Sequence, residues 1–298
     1  MDWDKLRSFH AAAETGSLTA AGERLKISQS AVSRQISALE AGIGVPLFQR
    51  HARGLVLTDA GIKLHAATAE MARAASVAGT IIKDAKDTPQ GDLVITAPIA
   101  FGSTWLIDRL QKFTDLYPQI HLHLYLDDRE YDLLKLEAEC AIRLWAADKA
   151  DLIQRKLMSV NTSLYASPDY LEKNGMPEKP QDLDDHRIIV YGEQISPMHI
   201  ANWAQRVGRD DLPPRAASLT VNNVIGMVRA AEAGLGVADL PDYMIPRDSN
   251  LVKVLPEMKG PHFELFFIYP SDLRKSNRIA AFRDFLTQEL ATFPQSEN

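Results

Sequence analysis

The sequence predicts two folded parts: an N-terminal helical part with a short hairpin and a long helix, and a C-terminal α/β part. A chain of 298 residues is long enough for about two domains, each with its own apolar core. Residues 1–41 repeat apolar side chains at helical spacing, whereas residues 91–298 alternate short apolar strands with helical stretches. The content of 46% hydrophobic and 24% charged residues is that of an ordinary globular protein.

The first residues and the cysteine usage predict a cytoplasmic protein without a membrane partner. A basic stretch followed by an apolar run, which a secretory signal requires, is missing at the start, and no apolar run reaches about 18 residues. Cys140 is the single cysteine. It excludes an internal disulfide and a multi-cysteine zinc site, and it agrees with a reducing compartment.

Charge is distributed unevenly along the chain. The net charge is −6, yet residues 1–60 contain seven Lys or Arg against six Asp or Glu. A local basic surface can bind phosphate groups on an otherwise acidic protein, because salt screens electric fields beyond about 10 Å. Charge alone does not decide between a nucleic-acid surface and chance clustering.

Two short helices are predicted first. Leu6 and Phe9 belong to an apolar repeat at helical spacing, and Gly16 is placed to end that helix as a left-handed C-cap. Ser17 is a good N-cap for a second helix, in which Ala20 and Ala21 are small enough for close packing.

The third predicted helix, capped by Ser28 or Ser30 and running to about Ala41, has two different sides. Apolar residues at spacings of four and three form the buried side: Val32, Ile36 and Leu39. Short or bidentate hydrogen-bonding groups cluster on the opposite side: Gln29, Ser30, Ser33, Arg34 and Ser37. Two interpretations are open, a solvated polar face and a face that contacts base edges in the major groove of DNA.

The DNA-binding interpretation gives these side chains specific roles. Arg34 can donate to O6 and N7 of guanine, and Gln29 can pair with adenine. The hydroxyl groups and the helix N-terminus at Ser28 suit phosphate oxygens. A short hairpin is predicted to follow, in which Arg50 and Arg53 point outward as a wing that contacts the DNA backbone or the minor groove.

Taken together, these residues resemble the winged helix-turn-helix of LysR-type transcriptional regulators. The resemblance is carried by motifs at fixed spacings: Ala20-Ala21, Ser28-Gln29-Ser30-Ala31-Val32-Ser33-Arg34-Gln35-Ile36, Leu39-Glu40, Leu47-Phe48-Gln49-Arg50 and Leu57-Thr58-Asp59-Ala60-Gly61. It implies that the chain binds double-stranded promoter DNA.

A long helix is predicted over 59–86, with Thr58 as its N-cap. Small or apolar residues recur along it in alternating steps of four and three: Ala60, Leu64, Ala67, Met71, Ala74, Ala78, Ile81 and Ala85. This apolar stripe favours pairing with a second copy of the helix, and packing on its own domain is the alternative. A homodimer would present two DNA-binding heads to a two-fold related site.

The remaining chain follows a hinge at 87–91 and predicts α/β architecture with largely parallel strands. Predicted strands lie at 93–95, 120–126, 141–142, 218–221, near 237 and at 266–269, and predicted helices lie at 103–117, 223–233 and 274–290.

Motifs in this part resemble the effector-binding module of the same family: Gly91-Asp92-Leu93-Val94-Ile95, Phe113 with Tyr117-Pro118, Ala166-Ser167-Pro168-Asp169-Tyr170-Leu171, and Ala233-Gly234-Leu235-Gly236-Val237 with Leu240-Pro241. The resemblance implies two Rossmann-like lobes, similar to periplasmic binding proteins, with a small molecule in the cleft between them. It implies chain crossings near 160–162 and 267–269. The expected divisions are a winged helix-turn-helix at 1–58, a dimerisation linker helix at 59–87, and an effector-binding domain at 88–298, with lobe I at 91–161 and 268–298 and lobe II at 162–267.

Six residues are candidates for lining the cleft: Ser103, Thr104, Arg143, Trp145, Asn222 and Asn223. Ser103 and Thr104 are predicted at a helix N-terminus, where free N–H groups favour an anion, and the two asparagines begin another helix. Arg143 can pair with a carboxylate, beside Trp145 as an apolar wall. An anionic or polar effector is therefore expected, with helix capping and a surface salt bridge as the alternative roles.

Enzyme signatures are missing from the sequence, and neither a cofactor nor a metal is expected. Gly234-x-Gly236 lacks the third glycine and the downstream acidic residue of a dinucleotide-binding motif, so it predicts a helix C-cap. His121 and His123 share one strand face without a suitably placed third ligand. Cys140 is predicted to be a buried structural thiol, with redox sensing as the alternative.

The expected function is transcriptional regulation in response to a small-molecule effector. The resemblance also implies dimers that pair into homotetramers, with RNA polymerase as a further partner. Two alternatives are a cytoplasmic small-molecule-binding protein that uses its N-terminal domain only for assembly, and an α/β enzyme.

Overall fold

A computed structural model describes residues 2–51, 54–83, 88–192, 202–209, 211–246 and 248–293. The chain divides into two compact units, unit 1 at Met1–Ile82 and unit 2 at Lys83–Asn298. Within the described ranges, no helix is long and apolar enough to cross a membrane.

Unit 1 begins with three helices, α1 at Trp3–Thr15, α2 at Leu18–Leu25 and α3 at Gln29–Ile43. Gly16 ends α1 in the left-handed region at φ +64°, and Ser17 caps α2 by accepting from the Ala20 N–H, as the sequence predicts. The predicted inner face of α3 is buried, together with residues of α1 and α2: Leu6, Phe9, Ala12, Ala21, Val32, Ile36 and Leu39. Local capping and apolar spacing are therefore sufficient to define this bundle.

A wing and a long helix complete unit 1. Strands β1 at Phe48–His51 and β2 at Gly54–Leu57 pair antiparallel, and α4 follows at Asp59–Lys83. Glu40 holds the approach to the wing, because its Oε1 accepts from the Leu47 N–H at 2.7 Å and from the Phe48 N–H at 3.2 Å. Thr58 caps α4 as predicted, since its hydroxyl oxygen accepts from the Gly61 N–H at 3.0 Å.

Unit 2 contains a mixed nine-stranded sheet with helices on its faces. Its strands are β3 (Gly91–Ala97), β4 (Ile120–Leu126), β5 (Cys140–Arg143), β6 (Leu152–Ala166), β7 (Ile188–Tyr191), β8 (Ala217–Val221), β9 (Val237–Pro241), β10 (Val252–Val254) and β11 (His262–Pro270). Its helices are α5 (Ile99–Phe101), a π-helical turn (Gly102–Leu106), α6 (Ile107–Leu116), α7 (Pro168–Asn174), α8 (Val224–Glu232) and α9 (Asn277–Ala291).

The strand order divides unit 2 into two lobes. It runs β4-β3-β5-β11-β6-β9-β7-β8, with β10 also paired to β6. Strands β3, β4 and β5 are parallel in lobe I, and β7, β8 and β9 are parallel in lobe II. The long strands β6 and β11 run antiparallel to each other between these groups. The predicted α/β architecture is confirmed, although the sheet is mixed at its centre.

The two crossings between lobes are set by how β6 and β11 change partners. Strand β6 pairs with β11 up to Asn161 and with β9 from Thr162 onward, at the position where the first crossing is predicted. Strand β11 already pairs with β5 over Phe266 to Ile268. The second crossing therefore lies before Phe266, and its predicted position at 267–269 is wrong, because those residues are central in the lobe I sheet.

Candidate DNA-binding face and effector cleft

The N-terminal end of α3 is organised by Ser28. The Ser28 hydroxyl oxygen accepts from the Ala31 N–H at 3.2 Å and lies 3.0 Å from the hydroxyl oxygen of Ser30. The backbone of Ser28 is extended, as an N-cap requires. Of the two serines that the sequence proposes as the cap, the structure selects Ser28.

The polar side of α3 faces solvent. Five of its predicted DNA-binding residues are exposed and Ser33 is partly buried; the exposed ones are Ser28, Gln29, Ser30, Arg34 and Ser37. Val32 and Ile36, on the opposite side, are 0% and 2% exposed. Among the described residues, no carboxylate forms an ion pair with Arg34. The structure thus brings these groups together on one surface with their hydrogen-bonding atoms open to a partner.

The wing is fixed to the helical bundle by its apolar residues. Leu47 is 1% exposed, and the Phe48 ring lies 5.2 Å from the Phe9 ring between centroids. Arg50 lies in β1 opposite Leu55. The side chain of Arg50 and the whole of Arg53 fall outside the described residues, so their predicted outward direction stays a prediction.

The apolar stripe of α4 changes its surroundings along the helix. Ala60 and Leu64 pack against the core of unit 1. Four residues further along the stripe are exposed: Ala67, Met71, Ala74 and Ala78. The side chain of Ile81 and the whole of Ala85 lie outside the described part. The first turns of α4 therefore serve the core of unit 1, and the later turns present an uncovered apolar stripe.

In unit 2, a cleft opens between the two lobes. Its polar lining comes from both lobes and from β6: Asp128, Thr162, Tyr191, Asp239 and Tyr243. Apolar groups form most of the remaining wall: Pro98, Leu144, Val160, Val224, Met227 and Phe263. A concave, largely apolar site with a few converging polar groups is typical of a small-molecule pocket.

Asp239 is the most unusual of these polar groups. It lies in the buried strand β9 and is 3% exposed. Its Oδ2 accepts from the Trp203 N–H at 3.4 Å, whereas its Oδ1 is buried without a hydrogen-bond partner among the described residues. Burial raises the pKa of Asp239 to about 7, a rise that the nearby Thr162 hydroxyl and the Trp203 N–H partly oppose. The carboxyl group is thus poised between its neutral and charged forms near neutral pH.

Asp128 occupies the helix start where an anion was expected. The first helix begins at Ile99, and the Ile99 N–H donates to Asp128 Oδ1 at 3.1 Å. The hydroxyl of Tyr191, from lobe II, donates to Asp128 Oδ2 at 3.2 Å. A carboxylate of the protein therefore caps this helix and also joins the two lobes across the cleft.

Ser103 and Thr104 are not at a helix N-terminus, so that prediction is wrong. Both lie in the π-helical turn that follows α5, one turn after the helix start. The Thr104 hydroxyl donates to the Ala100 carbonyl oxygen at 2.8 Å, and Ser103 is exposed. Neither belongs to the lining of the cleft.

The two asparagines also lie outside the lining of the cleft. The Asn223 Oδ1 accepts from the Gly226 N–H at 2.7 Å and so caps α8, which is the alternative role that the sequence offers. Asn222 is exposed beside it.

Arg143 and Trp145 line a neighbouring pocket of about 340 Å³ in lobe I. Arg143 donates to the Tyr131 carbonyl oxygen at 2.5 Å, and its guanidinium lies 3.7 Å from a carboxylate oxygen of Glu130. Trp145 Nε1 donates to the other oxygen of Glu130 at 2.5 Å. The protein's own Glu130 thus holds both side chains where a carboxylate ligand was expected.

Sequence reasoning missed the polar groups that do line the cleft. Asp239 interrupts a run of apolar residues in a predicted buried strand, and a buried carboxylate in such a run is a signal for function. Asp128 follows the carboxyl end of β4, the edge at which α/β proteins bind ligands. Tyr191 and Tyr243 carry no comparable local signal.

Within the described residues, no group of three or more His, Cys, Asp or Glu side chains is arranged to hold a metal ion. His123 Nε2 lies 3.2 Å from Asp92 Oδ1. Cys140 is fully buried, and burial raises the pKa of its thiol well above the usual value. A thiol in this position is poorly available as a thiolate.

A winged helix-turn-helix and a two-lobed α/β unit with a cleft between its lobes together define a class of protein, the DNA-binding regulators that respond to small molecules. Two family models cover nearly the whole chain. The one described as "LysR substrate binding domain" matches residues 86–291. The one described as "Bacterial regulatory helix-turn-helix protein, lysR family" matches residues 3–62. The chain belongs to the LysR family of bacterial transcriptional regulators, with a DNA-binding domain and an effector-binding domain.

The chain is similar to proteins that are named transcriptional regulators. An HTH-type transcriptional regulator of Xanthomonas campestris pv. campestris is 30% identical over 283 residues, which cover 93% of this chain and 82% of the relative. The structure of CrgA, a LysR-type transcriptional regulator from Neisseria meningitidis, is 26% identical with a TM-score of 0.63 and covers 98% of this chain and 100% of that one. ArgP from Mycobacterium tuberculosis, at 20% identity and a TM-score of 0.71 with full coverage of both chains, shares the fold.

Proposed function

We propose that this regulator recognises its operator with the exposed face of α3. Arg34 donates to O6 and N7 of a guanine, and Gln29 pairs with an adenine in the major groove. Four hydroxyl groups bind phosphate oxygens: Ser28, Ser30, Ser33 and Ser37. The observation that carries this proposal is the arrangement of these groups on one helix face, opposite an apolar face buried in the core of unit 1.

Arg50 and Arg53 extend this contact from the wing to the DNA backbone or the minor groove. The buried Leu47 and the Phe48–Phe9 ring contact support the role, because they fix the strand that carries Arg50 on the helical bundle.

The division of labour that we propose along the chain is DNA binding at 1–58, dimerisation at 59–87 and effector binding at 88–298. The exposed stripe of α4 supports a homodimer, since a partner helix would cover it. Two dimers would associate as a tetramer, and RNA polymerase would be contacted at the promoter. Such a regulator acts in the cytoplasm, where bacterial DNA lies, and works by binding rather than by catalysis.

The effector binds in the cleft between lobe I and lobe II. The Tyr191–Asp128 hydrogen bond joins the two lobes across this cleft. A ligand that makes different contacts with these groups in two lobe arrangements shifts the equilibrium by its difference in affinity for them. That difference is the source of effector control over promoter binding.

The proposal is tested by mapping the genomic binding sites of the full chain and titrating a recovered fragment at several salt concentrations. Wild-type protein should select a two-fold related sequence, with an affinity that falls steeply as salt rises. Arg34→Ala should lose about 1–3 kcal/mol of specific binding and relax the preference at one position in each half-site. Arg155→Ala, which removes an exposed arginine of unit 2, is the matched control and should bind like wild type.

Arg53→Ala tests the wing separately. Loss of a phosphate contact should weaken binding to all sequences alike and lower the salt dependence by about one unit of slope. An unchanged slope would remove Arg53 from the interface. If mapping recovers no enriched sequence, the chain is a small-molecule-binding protein whose N-terminal unit serves assembly.

A further inference from the structure

We infer that the effector carries a protonated amine on an apolar body, and that Asp239 binds this amine in the cleft between the lobes. The inference rests on the proposed role of that cleft as the effector site. It replaces the expectation of an anionic effector, and it is carried by the charges and hydrogen bonds of the cleft lining.

The strongest observation is the unused oxygen of Asp239. This side chain is 3% exposed and lines the cleft, and in the described part of the chain its Oδ1 has no hydrogen-bond partner. A buried carboxylate oxygen without a donor is unfavourable, and folded proteins rarely leave one unsatisfied. The Thr162 hydroxyl lies close enough to lower the pKa of Asp239, but its proton is donated to the Pro261 carbonyl oxygen at 3.0 Å. A ligand that brings a donor would supply the missing bond.

The charge of the lining favours a cation. Asp128 of lobe I and Asp239 of lobe II are its two charged residues, and the described lining contains no Lys, Arg or His. A protonated amine would be attracted by both carboxylates, whereas a carboxylate ligand would be repelled.

Lys253, a basic residue of lobe II, already forms an ion pair with another carboxylate. Lys253 Nζ lies 3.2 Å from Asp242 Oδ2, and the Tyr165 hydroxyl donates to Asp242 Oδ1 at 2.9 Å. Asp242 itself adds negative charge near Asp239. These contacts leave the Oδ1 of Asp239 without a cation from the described protein.

The apolar residues of the cleft determine which kind of group the ligand carries besides its amine. Leu144, Val160, Met227 and Phe263 give an apolar wall, which favours a ligand with an apolar body. An aromatic monoamine such as 2-phenylethylamine combines an apolar body with a terminal charged donor, and it serves as a probe of this chemical class.

The test compares three probes of matched size on the full chain at pH 8 by isothermal titration calorimetry. These are 2-phenylethylamine, the neutral 2-phenylethanol and the anionic 3-phenylpropionate. The amine should bind at least about tenfold more tightly than the other two, since only it offers a charged donor to Asp239. In Asp239→Asn the advantage of the amine should disappear. In Asp115→Asn, the same change at an exposed carboxylate outside the cleft, the advantage should remain.

A second measurement separates loss of binding from loss of folding. Asp239→Asn should unfold at a higher temperature than wild type without a probe, because it no longer buries a charge. Higher stability together with loss of amine binding is the expected pair of results, and a damaged fold would give lower stability.

Preferential binding of 3-phenylpropionate would overturn the amine assignment while keeping the cleft as the effector site. Equal amine affinity in wild type and Asp239→Asn, or no amine binding by wild type at 10 mM, would also overturn it. If the protein is not a DNA-binding regulator, the mapping of genomic binding sites would recover no enriched operator sequence, whatever the calorimetry shows.

Discussion

The exposed face of α3 and the cleft of unit 2 present their polar groups in opposite ways. Arg34 and its neighbours point into solvent, so water satisfies them until DNA arrives. In the cleft, Tyr191 and Asp239 are each 3% exposed, and water has little access to them. The exposed polar groups of the DNA-binding face therefore lower the stability of the fold very little. The buried polar groups of the cleft do lower it, and a ligand that hydrogen-bonds to them would stabilise the protein.

This difference accounts for which unit can act as a sensor. A surface whose polar groups are hydrogen-bonded both by water and by its partner can bind that partner. Such binding does not shift the equilibrium between two conformations of the protein. A cleft with an unsatisfied carboxylate and a hydrogen bond between lobes has two arrangements that a ligand can distinguish. Substitutions on α3 should therefore change binding with little effect on stability, and substitutions in the cleft should change both.

The largest expected effect on stability is that of Asp239→Asn. The folded-state pKa of about 7 exceeds the ordinary value of 3.8, so this group favours the folded state most below pH 4 and the benefit is lost as pH rises through 7. Removing the carboxylate should raise the free energy of unfolding by about 4 kcal/mol at pH 8 but by only about 2 kcal/mol at pH 5. Urea unfolding at both pH values measures the difference.

Asp115→Asn, the same change at an exposed carboxylate, is the control for that experiment and should change the free energy of unfolding by less than about 0.5 kcal/mol. An equal gain for Asp239→Asn at pH 5 and pH 8 would mean that the effect comes from packing rather than from ionisation.

A smaller but opposite effect is expected from Gly61→Ala in unit 1. A Cβ at Gly61 would lie 2.1 Å from the Leu47 carbonyl oxygen, so backbone must move. The expected loss is about 2–3 kcal/mol. Gly42→Ala, which meets nothing within 4 Å in α3, should instead gain about 0.5–1 kcal/mol. Hydrogen exchange of the α3 and α4 amides in the full chain measures both.

Similar protection of α4 in Gly61→Ala and wild type would show that the wing and α4 adjust to each other freely. The scaffold of the DNA-binding face would then be as adaptable as the lobes of unit 2.

The sequence predicts unit 1 well because its contacts are local. Ser17, Ser28 and Thr58 each cap the helix that follows them within three residues, and a pattern in the sequence can show such a contact directly. The cleft depends on pairs that are distant in sequence. Asp128 binds Ile99 from 29 residues away and Tyr191 from 63 residues away, and no spacing rule indicates such partners.

The incorrect placement of Ser103 and Thr104 has the same cause. Serine and threonine favour helix N-termini, so the sequence predicts that a helix begins at 103. The helix begins at Ile99 after Pro98 because a side chain from another element, Asp128, supplies the cap. The second crossing was misplaced for a related reason: β11 is a single long strand, and only its pairing with β5 shows where it enters lobe I.

Tyr191→Phe tests the hydrogen bond that joins the lobes. Loss of a hydroxyl that donates to a charged carboxylate should lower the stability of unit 2 by about 1.5 kcal/mol. It should also increase hydrogen exchange at the start of α5, where Asp128 caps the helix. Tyr165→Phe is a matched control, because it removes a hydroxyl–carboxylate bond to Asp242 within lobe II. If the two variants change exchange at α5 equally, the Tyr191 bond has no special role between the lobes.

The smallest expected change in stability separates the two roles of Ser28, as helix cap and as phosphate contact. Ser28→Ala should lower the stability of α3 by about 1 kcal/mol, because the Ala31 N–H loses its acceptor. Ser28→Asp should keep that stability, since aspartate is an equally good N-cap, yet it places a negative charge where DNA phosphate would lie. DNA affinity in Ser28→Asp should therefore fall for all sequences while hydrogen exchange in α3 stays at the wild-type level. Unchanged affinity in Ser28→Asp would leave Ser28 as a cap alone and place the phosphate backbone away from the start of α3.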